Sequence, residues 1–189
     1  MSLSIIWKLS DDESRNLTTI QCLKEQIAGN EFETQILIYT KDKSKSAEYV
    51  TELELVKAKV DAYEADDEVA VYMDAQKHVT EDLVTYISSG DQWTSDALKQ
   101  VQKAADKYIK YNIFMLHKTM LDGDDVAFTT DPATKKIIGE HFENEYHCHP
   151  FYFAGTFLRK NIWNGNGERV LSACVGKRKK DDLFAIFDI

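Results

Sequence analysis

The spacing of apolar residues changes several times along this chain, and each change marks an element. Ser2–Leu9 holds Ile5, Ile6 and Trp7 in one run and reads as a strand. The next stretch, from Ser10 to Gly29, opens on Ser10 or Asp11 as N-cap, crowds acids into its first turn and stops at glycine. Leu17, Ile20, Leu23 and Ile27 recur there at helical spacing and predict one buried face. Glu33–Tyr39 is a second strand. Across 47–65, Tyr49, Leu53, Val56, Val60 and Tyr63 keep steps of three and four, which predicts a helix. Val56–Ala62 also alternates as a strand would. Glu68–Asp74 reads as a third strand, giving β-α-β-α-β with parallel pairing over the first 74 residues.

Leu83–Ile87 suits helix or strand, and Thr94–Tyr111 is predicted as a helix with Leu98, Val101, Ala105, Tyr108 and Ile109 as its apolar stripe. Strands at 112–120 and 126–130 follow, then a helix opened by Asp131-Pro132. Three apolar runs close the chain: Phe151–Leu158, Val170–Val175 and Leu183–Ile189. Asn164–Gly167 and Lys177–Asp182 separate them, the pattern of an antiparallel meander. The expected class is α+β, with a mixed α/β arrangement open to the N-terminal half. One domain spans 1–189, a β/α part over 1–111 and an antiparallel part over 112–189.

Composition narrows the reading. Across 189 residues the net charge is −9, which argues against binding a phosphate backbone. The basic run Lys177–Lys180 runs into Asp181 and Asp182 and reads as a solvated turn. Cys22, Cys148 and Cys174 are odd in number and lack close spacing, as expected of a reduced, cytoplasmic protein. No apolar run is long enough to predict a membrane span.

Three sets of residues have types suited to chemistry. His78-Val79-Thr80 and His117-Lys118-Thr119 repeat a His-x-Thr triplet, in which histidines would act as acid and base and hydroxyls would hold phosphate oxygens. The second triplet, inside an apolar strand, resembles one motif of the 2H phosphoesterase superfamily. That resemblance implies a phosphodiester hydrolase using His78, Thr80, His117 and Thr119. Asp11, Asp12 and Asp74 would lie at strand ends and suit Mg²⁺. With Ser10 and Glu13 they resemble the receiver domain of two-component regulators, although no crossover helix fits between Asp74 and Leu83. His141, His147, Cys148 and His149 are zinc-type ligands, but on a strand His147 and His149 face away from Cys148. No metal or other cofactor is therefore expected. Glycine-rich phosphate loops and the Gly-x-Ser-x-Gly elbow are missing.

These observations favour a non-catalytic, acidic protein-binding or regulatory domain, of the inhibitor or immunity type, acting on a basic protein partner through Tyr152, Phe157 and Trp163. The alternative is the His-x-Thr hydrolase acting on a phosphodiester. Neither nucleic acid nor membrane is an expected partner.

Overall fold

The computed structural model describes residues 1–65, 67–116, 119–122, 125–129 and 155–165. β1 (Ser2–Lys8), α1 (Glu13–Ala28), β2 (Glu33–Thr40), a 3₁₀ turn (Lys43–Ser46), α2 (Ala47–Leu55), β3 (Lys59–Glu64), α3 (Glu68–His78), β4 (Leu83–Ser88) and α4 (Ala97–Lys107) follow in order. After them come β5 (Ile113–Met115), β6 (Thr119–Asp122), β7 (Asp125–Thr129), β8 (Thr156–Arg159) and a short α5 (Lys160–Gly165). The fold is α/β. Its principal sheet has the order β3-β2-β1-β4-β8-β5, and β6 and β7 form a separate antiparallel pair. β1, β2, β3 and β4 are parallel, whereas β8 runs antiparallel to both β4 and β5.

Parallel strands need covered faces, and alternate residues supply both. Leu3, Ile5 and Trp7 of β1 join Ile36 and Ile38 of β2 on one face. There they meet Ile20, Leu23 and Ile27 of α1, Tyr49 and Leu53 of α2, and Leu98, Val101 and Ala105 of α4. Ile6, Leu37, Tyr39, Val84 and Tyr86 point the other way, onto Val71, Tyr72 and Ala75 of α3 and Trp163 of α5. The result is three layers with the sheet in the middle.

Several expectations change in this light. The segment 47–65 contains both alternatives: α2 ends at Leu55, Lys57 turns the chain at φ 66°, and β3 begins at Lys59. Glu68–Asp74 is helical rather than extended. Asp67 accepts the Ala70 N–H at 2.8 Å as its N-cap, and Val71, Tyr72, Ala75 and Val79 then bury one helical arc. That helix extends the β-α crossovers through β4, so the parallel part is larger than expected. The predicted helix at 131–142 and the strands at 170–175 and 183–189 lie outside the described residues. Of the first meander run, Thr156–Leu158 belong to β8, which sits between β4 and β5. Of the expected turn at Asn164–Gly167, Asn164 and Gly165 end the helix that spans Lys160–Gly165, and 166–167 lie outside the described residues.

Among the described residues, no helix is long and apolar enough to cross a membrane.

Candidate functional site at the carboxyl edge of the sheet

In an open parallel sheet, ligands settle beyond the carboxyl ends of strands where the winding direction reverses. Here the chain winds outward from β1 through β2 to β3, then returns across the sheet to β4 on the other side of β1. The reversal therefore falls between β1 and β4, whose last residues, Lys8 and Ser88, are register partners. Two loops frame this point: 9–12 before α1, and 89–96 before α4.

Side chains tie these loops together. Asn16, in the first turns of α1 and 5 % exposed, accepts the Ser10 N–H at 2.9 Å and donates to the Ser10 carbonyl at 3.0 Å. Its Oδ1 also accepts the Ser89 hydroxyl. Ser89 Oγ accepts from Trp7 Nε1 at 3.0 Å and from Ser10 N–H at 3.2 Å, and lies 3.1 Å from the Lys8 carbonyl. One turn on, Thr19 Oγ1 accepts the Gly90 N–H at 2.9 Å and lies 3.1 Å from the Asp91 carbonyl. After a further turn, the Cys22 sulfur accepts the Trp93 N–H at 3.1 Å. Gln26 then donates to the Thr94 carbonyl at 2.6 Å and accepts the Leu98 N–H at 3.1 Å. Asn16, Thr19, Cys22 and Gln26 repeat at helical spacing, so one polar stripe of α1 fastens the loop from β4 to α4 along its length. Each of the four is buried, and satisfied buried polar groups of this kind fix a single geometry.

Gly90 holds φ 101°, a left-handed conformation costly for a side chain, so glycine lets the loop turn beside Arg15. Burial pushes the Cys22 thiol up, away from the reactive thiolate form.

The carboxylates nearby are committed to structure. Asp12 caps α1, accepting the Ser14 N–H at 3.0 Å and the Ser14 hydroxyl at 2.6 Å. These bonds, the side-chain one foremost, hold its carboxyl below the usual range. Asp11 lies 3.9 Å from Lys45 Nζ. Asp91 Oδ2 accepts the Ser88 N–H at 2.9 Å. Asp74 sits on α3 instead of a strand end, accepting the Tyr39 hydroxyl at 3.2 Å. The trio Asp11, Asp12 and Asp74 is thus not assembled. Among the described residues no three His, Cys, Asp or Glu side chains come together to hold a metal.

The other expected residues lie elsewhere. His78 ends α3, its ring stacked on Tyr63 at 4.2 Å and its Nε2 3.5 Å from Asp74 Oδ2. Its carbonyl accepts from Gln35 at 3.0 Å. Thr80 gives its N–H and hydroxyl to the Gln35 carbonyl oxygen, each at 3.1 Å. Gln35 also accepts from Ser4 Oγ at 2.7 Å, so this network belongs to the amino edge of the sheet. From Ser4 to Lys8 is about 13 Å of extended chain. Thr80 and the His78 backbone stand at the edge opposite the winding reversal. The His78 ring, by contrast, rests on Tyr63, whose register partner Tyr39 is level with Lys8. His117, Tyr152 and the histidine group at 141–149 lie outside the described residues. Thr119 begins β6. Phe157 (0 % exposed) and Trp163 (2 %) are core residues, packed on Trp93 and Tyr72 respectively. Sequence reasoning passed over Asn16, Thr19 and Gln26; their signal was a polar stripe at helical spacing beside the apolar one.

No family model matches this sequence, and no curated protein matches it. Solved structures do share the fold. Residues 1–349 of S. aureus TarS in complex with UDP align over 99 % of this chain and 55 % of that one, with 12 % identity and a TM-score of 0.65. A second structure of TarS 1–349 aligns over 88 % of this chain and 49 % of that one, at a TM-score of 0.59. The complex of TarS 1–349 with UDP-GlcNAc aligns over 88 % and 47 %, at 0.57. Identity is 12 % in these two as well. The chain spans about half the length of these structures. A mannosyltransferase, PcManGT from Pyrobaculum calidifontis in complex with GDP-Man and Mn²⁺, aligns over 61 % of this chain at a TM-score of 0.44. At 12 % identity the likeness is one of fold, an α/β domain shared with TarS 1–349. The expectation of a non-catalytic protein-binding or regulatory domain is corrected by this likeness, because the shared fold belongs to a protein crystallised with UDP and with UDP-GlcNAc. The phosphodiester-hydrolase alternative is set aside with it.

Proposed function

We propose that this chain is the nucleotide-sugar-binding part of a glycosyltransferase-type enzyme, with the nucleoside diphosphate seated over the carboxyl ends of β1 and β4. The observation that carries the reading is the reversal of winding between β1 and β4, bordered by two loops that α1 locks together. The alignment with TarS bound to UDP spans that entire region. A crevice of this kind needs rigid walls, since catalysis by positioning fails when donors drift by an ångström. Asn16, Thr19 and Gln26 supply that rigidity. The amides of Ser10, Gly90 and Trp93 and the Ser89 hydroxyl are spent within the fold, so the chain's own groups for a ligand there are the Ser10 hydroxyl and one central cation at Lys8. Such groups bind and orient a donor nucleotide and stabilise negative charge that builds on a departing diphosphate.

Calorimetric titration of the whole chain with UDP, uridine and inorganic phosphate tests the proposal. Saturable binding of UDP, tighter than that of uridine or phosphate alone, is the expected result. Absence of any nucleotide binding at millimolar concentration overturns it.

A further inference from the structure

We infer that Lys8 is the diphosphate contact of this crevice, an inference that rests on the nucleotide-binding reading above. Lys8 ends the central strand, and its register partners are Tyr39 on β2 and Ser88 on β4. Ile6 faces the α3 side of the sheet and Trp7 the α1 side, so alternation sends Lys8 to the α3 side of the carboxyl edge.

The other cations around this edge differ in circumstance. Arg15 Nε lies 3.6 Å from Asp12, and Lys45 Nζ lies 3.9 Å from Asp11; both side chains are mostly in solvent. Lys8 is half-buried, and its ammonium has no carboxylate or hydrogen-bond partner among the described residues. An ammonium at this edge without an ion pair is open to an anionic ligand group.

The usual alternative for a phosphate, the amino end of the following helix, is already taken. The carboxylate of Asp12 occupies the first amides of α1, so an anion there would meet a like charge. Asp91 turns its Oδ2 back onto the Ser88 N–H. That leaves the Lys8 ammonium as the compact positive charge at the winding reversal. A lysine binds phosphate as a point charge, without the forked geometry of arginine.

The test compares wild type, Lys8→Met and Lys8→Arg for binding of UDP and of uridine, with folding checked by circular dichroism and thermal midpoint. Lys8→Met should bind UDP about ten-fold more weakly or worse, and uridine as before, while Lys8→Arg keeps most of the UDP affinity. In wild type, the advantage of UDP over uridine should shrink as salt is raised. Should Lys8→Met fail to fold, Lys8→Gln and the salt series on wild type decide the matter. Equal UDP binding by wild type and a folded neutral variant, or an advantage indifferent to salt, overturns the role of Lys8 and leaves the crevice assignment standing. Failure of wild type to bind UDP at all removes both.

Discussion

Replacing Asn16 should loosen both loops of the crevice at once. The side chain is 5 % exposed and bonds Ser10 through both its N–H and carbonyl, with Ser89 as a further partner. In Asn16→Ala the Ser10 N–H keeps Ser89 Oγ at 3.2 Å, and the Ser89 hydroxyl keeps the Lys8 carbonyl at 3.1 Å. The Ser10 carbonyl loses its amide donor outright. At about 1 kcal/mol net for each of two or three bonds lost, the cost is about 2–3 kcal/mol. For a chain of this size that corresponds to a thermal midpoint about 4–12 °C lower. Asn16→Asp sharpens the test, because it keeps the acceptor but sets a carboxylate against the Ser10 carbonyl at the present 3.0 Å. That carbonyl raises the folded-state pKa of the new acid. Its destabilisation is therefore full above that pKa and recedes as pH falls through it, when the protonated acid donates again. Urea unfolding of the three proteins across pH measures both effects. A cost below about 0.5 kcal/mol for Asn16→Ala would mean that the loops stand without it. A gap between Asn16→Asp and wild type that does not narrow on acidification would refute the donor geometry.

Three further outcomes follow from the same packing. Trp163→Ala should cost about 3–5 kcal/mol in unfolding free energy, because the ring is core between α5 and Tyr72 of α3; a surface residue would show almost none of this. Gly90→Ala should cost about 1–2 kcal/mol from the left-handed φ of 101° and weaken nucleotide binding in parallel, both readable by urea unfolding and titration. In a background lacking Cys148 and Cys174, Cys22 should react with a thiol reagent only as fast as the protein opens, since it is buried and its thiol is raised. Rapid reaction at full stoichiometry in the folded state would contradict its place against Trp93.

The strands β1 and β2 and helix α1 were legible because each carries a single period and firm punctuation, with Gly29 at the end of α1. At 47–65 two periods overlap, and only the chain reversal at Lys57 separates them. Glu68–His78 misleads because Val69 and Val71 alternate with small or polar neighbours, while the deciding signal is the Asp67 cap one residue earlier. Of the α1 face expected from Leu17, Ile20, Leu23 and Ile27, the last three are buried, while Leu17 is 51 % exposed and Asn16 beside it is buried. A polar stripe that binds a loop rather than solvent looks hydrophilic in sequence; its burial depends on 89–96 coming back across the sheet. The site was illegible for the same reason. Ser10, Asn16, Ser89 and Gly90 are ordinary residues far apart in sequence, joined only by β4 lying next to β1. The histidine triplet drew attention by residue type, yet the His78 backbone and Thr80 serve the opposite edge through Gln35.

The central claim is most directly tested by titrating the isotope-labelled chain with UDP and following its backbone amides. The account predicts saturable shifts at Leu9, Ser10, Ser89 and Gly90, with Ser4, Thr80 and Glu81 at the amino edge left unmoved. Shifts confined to the amino edge, or none at millimolar UDP, would contradict it.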